Sequence, residues 1–228
     1  MKKLIVTIIM TIVAISGDAQ NRYCNTYEDF LEGKWQQLDT INCKSHSKSR
    51  QVWLGGSDYT LTTGDKELDN ILKKKAFAVM IADTLYLNCR NLRYEKTSFG
   101  GGYSKARRMG ENSLLLVHRV IGKSAQKDEV LSSLVFGVVG EAITSNKQVK
   151  QQVCYVISNG ANEKGRINIQ MINDSLMNVM VQNREDLRKE YYAEENKSKR
   201  LLATHIVPIL EKAGLFEQSK EKETKKKK

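Results

Sequence analysis

Phe99-Gly-Gly-Gly-Tyr103, followed by Lys105, Arg107 and Arg108, is the segment of this 228-residue chain best suited to holding an anion. Glycine backbone can turn its amides toward a phosphate or carboxylate, and the cations lie just beyond. The candidate anion-binding residues are therefore Gly100, Gly101, Gly102, Lys105, Arg107 and Arg108. The segment lacks the G-x-x-x-x-G-K-[ST] spacing and the following helix of a nucleotide-binding loop, which points away from nucleoside triphosphates.

Other chemistry is less well assembled. Nucleophilic catalysis needs a base beside a nucleophile and an orienting acid, and His46, His118 and His205 are each isolated, with no G-x-S-x-G elbow nearby. The adjacent carboxylates Glu28-Asp29, Glu185-Asp186 and Glu194-Glu195 cannot face one substrate from a helix. Cys43 and His46 form the one metal-like local pair, short of the four ligands of a structural zinc site. Glu141 interrupts an apolar run and would need a cationic partner if buried. The sequence assigns no catalytic set, metal or cofactor.

The elements that must position these groups read as an α+β fold, a mainly antiparallel sheet with a helical C-terminal part. Thr26 to Asp29 has the form of a capping box, predicting a short helix with Tyr27, Phe30 and Leu31 inward and an end at Gly33. Trp35 is expected to pack on the first strand pair. Lys44 to Arg50 reads as an exposed loop, then Gln51–Leu54 and Tyr59–Thr62 as a hairpin. Asp65 can cap a helix carrying Leu68, Ile71 and Leu72, with Lys73 to Lys75 at its C-terminus. Ala76–Ile81 and Thr84–Cys89, apolar on both alternating faces, predict the centre of the sheet. Leu114–Val120, Val149–Ser158 and Ile167–Met171 read as further strands. Glu129–Ile143 reads as a core helix. From Asp174 the pattern is helical, with Leu176, Val179, Met180, Leu187 and Tyr191 spaced for burial. A last helix spans about Ser198 to Ala213, kinked or divided at Pro208 and capped by Gly214.

The N-terminus reads as a cleavable export signal: Met1-Lys2-Lys3 is basic, Leu4–Ile15 is apolar, and Gly17-Asp18-Ala19 supplies small residues before a cut at Gln20. The expected organisation is residues 1–19 as signal, 20–216 as one α+β domain and 217–228 as a disordered basic tail. The formal charge is +11, and residues 220–228 hold six lysines against two glutamates. That tail carries no aromatic residue to stack a base, which argues against nucleic acid and leaves weak contact with an anionic membrane surface as its expected reach. Four cysteines, at 24, 43, 89 and 154, permit two disulfides in any of three pairings, while Cys89 and Cys154 sit in runs where a free cysteine acts as a small hydrophobe.

Taken in order, Tyr27-Glu-Asp-Phe-Leu31, Thr63-Gly-Asp-Lys66, Asp83-Thr-Leu-Tyr-Leu-Asn-Cys89, Gly101-Gly-Tyr103 and the glycine-bearing stretch 137–140 resemble an uncharacterised family of exported proteins of Bacteroidota. The resemblance implies export from a Gram-negative cell and brings no reaction or catalytic residue. The expectation is an uncharacterised exported protein of the periplasm or cell surface that binds an unknown protein or envelope ligand. Hydrolysis of envelope or dietary polymer and peripheral attachment to anionic membrane are the alternatives.

Overall fold

The structure, a computed structural model, describes residues 21–47, 58–122, 128–136, 151–160 and 167–217. The expected signal, Gln51–Leu54, Glu141, the glycine stretch 137–140 and the lysine-rich tail lie outside the described residues.

Strand β1 (Asn21–Cys24) leads into α1 (Tyr27–Leu31), where the capping box forms: Thr26 Oγ1 accepts from the Asp29 amide at 3.0 Å, and Asp29 accepts from the Thr26 amide at 3.1 Å. Gly33, at φ 69°, ends this helix, its amide donating to Phe30 and that of Lys34 to Asp29, which satisfies carbonyls left open by the last turn. Strands β2 (Gln36–Leu38), β3 (Asn42–Ser45) and β4 (Tyr59–Thr62) follow. Helix α2 (Lys66–Lys74) starts at Asp65, whose carboxylate accepts from the Leu68 amide at 2.8 Å. Then come β5 (Ala78–Ile81), β6 (Thr84–Asn88), a single 3₁₀ turn at Cys89–Asn91, the small hairpin β7 (Arg93–Tyr94) and β8 (Thr97–Ser98), β9 (Tyr103–Arg108) and β10 (Ser113–Arg119). Helix α3 (Glu129–Phe136), β11 (Gln152–Asn159) and β12 (Ile167–Met171) precede four helices, α4 (Asp174–Met180), α5 (Glu185–Tyr192), α6 (Lys197–Arg200) and α7 (Ala203–Lys212).

Among the described residues ten strands make one antiparallel sheet in the order β12-β11-β10-β9-β6-β5-β1-β2, with the β3–β4 pair joined through Tyr59 of β4 opposite Tyr103 of β9. The expected central hairpin, β5–β6, is flanked on both sides. One of its faces carries Ala78, Leu85 and Leu87 into a core closed by Tyr27 and Phe30 of α1 and Leu131 and Leu134 of α3. The other carries Val79 and Tyr86 against Leu72 of α2. Further along the same face, Leu115, Cys154 and Val156 meet the C-terminal helices through Met177, Leu187, Tyr191, Ile206 and Leu210. Each such buried side chain contributes about 1.5–3 kcal/mol.

One charge is buried among those helices. Arg200, 6% exposed, donates from Nε and Nη2 to both oxygens of Asp174 at 3.1 and 2.7 Å and from Nη1 to the Glu194 carbonyl at 3.0 Å. The guanidinium holds the Asp174 carboxyl below its ordinary range, and Tyr191 Oη adds a 2.8 Å bond.

Several expectations need correction. Residues 21–24 form a strand that the sequence does not announce, because two buried residues are too few to show periodicity. The expected loop from Lys44 begins as strand: β3 is exposed throughout, so no apolar alternation announces it, yet it pairs with β4. Val179 is 62% exposed, and Met177 and Val181, one turn apart, face inward instead. The C-terminal segment divides at Leu202, whose extended backbone bridges Val153, and α7 runs through Pro208 because Ile206, Ile209 and Leu210 are anchored in the core. Gly214 closes α7 as expected, with the Leu215 amide bonded to Leu210.

The β5–β6 turn has a strain that can be measured. Ala82 sits at φ 49° between the paired residues Ile81 and Thr84, in a region that costs a residue with a Cβ about 1–2 kcal/mol. Ala82→Gly is expected to raise the unfolding free energy by about 0.5–1 kcal/mol in urea titration, after the added flexibility of the unfolded chain. An unchanged or lower midpoint would contradict the turn geometry.

Candidate functional site

Strand alternation disperses the cations that the sequence places beside the glycine turn. Lys105 and Arg107 point to one face of β9 and Arg108 to the other. Lys105 Nζ lies 5.6 Å from the centre of the Tyr59 ring, Arg107 stacks 3.7 Å over Phe216 and pairs with Glu211, and Arg108 stacks 4.3 Å over Phe30 with Glu217 at 3.9 Å. The six candidate residues therefore do not meet around one point.

The glycines do reach a cavity. Gly101 and Gly102 line a cavity of about 470 Å³ with His46, Thr60 and Thr62 from the β3–β4 hairpin, Asp69 and Lys73 from α2, and Asn88, Arg90 and Tyr103. Gly100 and Gly102 both have φ 101°, so the turn needs residues free of a Cβ. Gly101 differs: its φ lies outside the left-handed range and an added Cβ there points into open space.

Asn88 holds the floor. It is 1% exposed, and its Nδ2 donates to the carbonyls of Leu72 at 3.0 Å, Ala76 at 2.9 Å and Lys73 at 3.4 Å, while Oδ1 accepts from the Arg90 amide at 3.1 Å. One side chain thus ties the end of α2, which carries Lys73, to the turn that carries Arg90. Tyr103 Oη adds a 2.5 Å bond to the Leu72 carbonyl and Asn91 Nδ2 a 3.1 Å bond to that of Lys74, so the orphan carbonyls of the helix end are met. One turn before Lys73 on α2, Asp69 Oδ1 accepts from the Thr63 amide at 2.5 Å and hydroxyl at 2.9 Å, and beside the β3–β4 hairpin His46 Nε2 lies 2.5 Å from Thr60 Oγ1.

A family model described as a family of unknown function (DUF6563) matches residues 22–217. The chain belongs to this family. The match spans the described sheet, the cavity and the C-terminal helices, so every residue named in the site lies within the family's domain. No curated protein and no solved structure matches the chain.

The remaining sequence candidates fall elsewhere. Cys43 and His46 project from opposite faces of one strand, Cys43 toward Tyr86 and His46 toward Thr60, so they form no chelating pair. All four cysteines are free; Cys24, Cys89 and Cys154 are buried, and burial pushes the Cys24 and Cys154 thiols up to about 12. None of the three pairings forms, and the buried thiols pack as small hydrophobes in the cores. His205 Nε2 lies 2.9 Å from the Tyr191 carbonyl, among the C-terminal helices. In the sequence Lys73 reads only as a helix-end cation and Arg90, Asn88 and Asp69 carry no signal, because a fold-dependent crossing brings them together.

His118 is 3% exposed, with its ring edge-on to Phe99 at 5.1 Å. Burial first, then the charge of Arg119, pushes it down to about 4 from 6.5. Folding thus favours the neutral ring, and the unfolded chain binds the proton more readily. The contribution is fully present above pH 6.5 and falls as pH drops toward 4, by about 3 kcal/mol. In His118→Phe the unfolding free energy is expected to lose that part of its slope between pH 6.5 and 4. An identical slope in both proteins would show that the ring is accessible to protons in the folded state.

Proposed function

We propose that the protein is an exported, non-enzymatic binding protein of the periplasm or cell surface, and that its ligand enters the cavity between α2, the β3–β4 hairpin and the glycine turn. Support for export is the three-part N-terminal signal with its cut before Gln20. The observation that carries the binding site is convergence. Hairpin, helix, 3₁₀ turn and glycine turn each send polar or charged groups to one concavity whose volume suits a small molecule. A ligand there would meet Asn88, Tyr103 and Asp69 already fixed by internal hydrogen bonds, which lowers the ordering that opposes binding.

Native mass spectrometry after exposure of the mature chain to periplasmic extract tests this. The wild-type protein is expected to retain a small molecule. Gly101→Trp, which adds a bulky group to the cavity's lining at a position where a Cβ meets no neighbour, is expected to melt normally and retain none. Equal retention by both proteins, or none by the wild type, would remove the cavity as the ligand site. A protein isolated from its own cells with Met1 in place and in the cytosolic fraction would remove export.

A further inference from the structure

We infer that the ligand of this cavity is a sugar-sized polyhydroxy anion, with its phosphate or carboxylate between Lys73 and Arg90 and its hydroxyls on the Asp69 side; this rests on the cavity being the ligand site. Much of the guanidinium charge described on this protein is already engaged. Arg107 pairs with Glu211, Arg108 with Glu217, Arg184 with Asp186, Arg188 with Glu185 and Arg200 with Asp174. Lys73 and Arg90 have no carboxylate within ion-pair distance among the described residues, although Asp69 lies one helical turn before Lys73 and lines the same cavity. Two cations from separate elements thus line one concavity, their backbones joined through the buried Asn88 amide, with no carboxylate paired to either among the described residues.

A helix C-terminus ordinarily repels an anion through its bare carbonyls. At the end of α2 those carbonyls are covered. Leu72 receives Asn88 and Tyr103, Lys73 receives Asn88, and Lys74 receives Asn91. An oxyanion can therefore approach Lys73 and Arg90 and form charge-assisted bonds, which are shorter and stronger than neutral ones. Asp69, one turn before Lys73 on α2, selects differently. The bonds from Thr63 to Asp69 fall on Oδ1, leaving Oδ2 to accept hydroxyl protons, a pairing that suits a polyol and disfavours a bare anion on that side. A volume of about 470 Å³ admits a ligand of one or two sugar rings.

Isothermal titration of the mature chain at low salt with glucose, glucose 6-phosphate, glucuronate and inorganic phosphate tests the inference. The phosphate and carboxylate sugars separate the two sources of the anionic group. At least one of them is expected to bind ten-fold or more tightly than glucose. Lys73→Gln and Arg90→Gln, both exposed and neutral to folding, are each expected to weaken that sugar at least five-fold. Asp69→Asn is expected to weaken the sugar anion while leaving inorganic phosphate unchanged or tighter. Glucose binding as well as both anionic sugars, indifference to Lys73→Gln and Arg90→Gln, or no binding by any probe at millimolar concentration would each overturn the inference. Retention of an uncharged molecule by the wild type and not by Gly101→Trp would leave the cavity as the site while removing the anion.

Discussion

The side-chain amide of Asn88 is the contact on which the site depends. A helix end that packs against a sheet buries carbonyls which its own amides cannot reach, and an unmet buried acceptor costs about 1–3 kcal/mol. In this fold the last strand residue before the 3₁₀ turn supplies the donors. Its Nδ2 hydrogens meet the carbonyls of Leu72 and Ala76, and its Oδ1 starts the turn that presents Arg90. Asn88 thus joins helix α2, strand β6 and the 3₁₀ turn at one buried group, with Asn91 and Tyr103 adding bonds to the same helix end, and the cavity lies in front of the glycine turn beside this junction.

The sheet explains why the placement persists. Strands β5 and β6 are apolar on alternate residues of both faces, so helices must cover each side, and α2 covers the side from which Asn88 is reached. The C-terminal helices cover the rest of that face and carry their own anchor in Arg200, whose buried guanidinium is matched by both oxygens of Asp174 and a backbone carbonyl. A buried cation without those partners would be costly, so the helical end is held in one arrangement.

How much of this was legible in the sequence follows from the range of the forces involved. Local devices were readable: the Thr26–Asp29 box, the Asp65 cap, the glycine ends at Gly33 and Gly214, and the apolar alternation of β5 and β6. Elements lacking apolar periodicity were missed, as with the wholly exposed β3, or shifted by one residue, as with the Met177–Val181 stripe of α4. The site was half legible. The glycine turn declared itself by composition, but strand alternation sent Lys105, Arg107 and Arg108 to other partners, and the cations of the cavity came from α2 and the 3₁₀ turn. Asn88 could not be singled out, since an asparagine at the end of an apolar strand acquires its meaning only when a helix end is laid beside it.

Exchange of the Asn88 side-chain protons with solvent, followed by NMR on the nitrogen-15-labelled protein, reports most directly on this arrangement. If the amide is buried and bonded to the end of α2, its two Nδ2 protons are expected to exchange at least ten-fold more slowly than those of Asn42, on the wholly exposed strand β3. Exchange as fast as that of Asn42 would mean that helix and turn are not joined through Asn88.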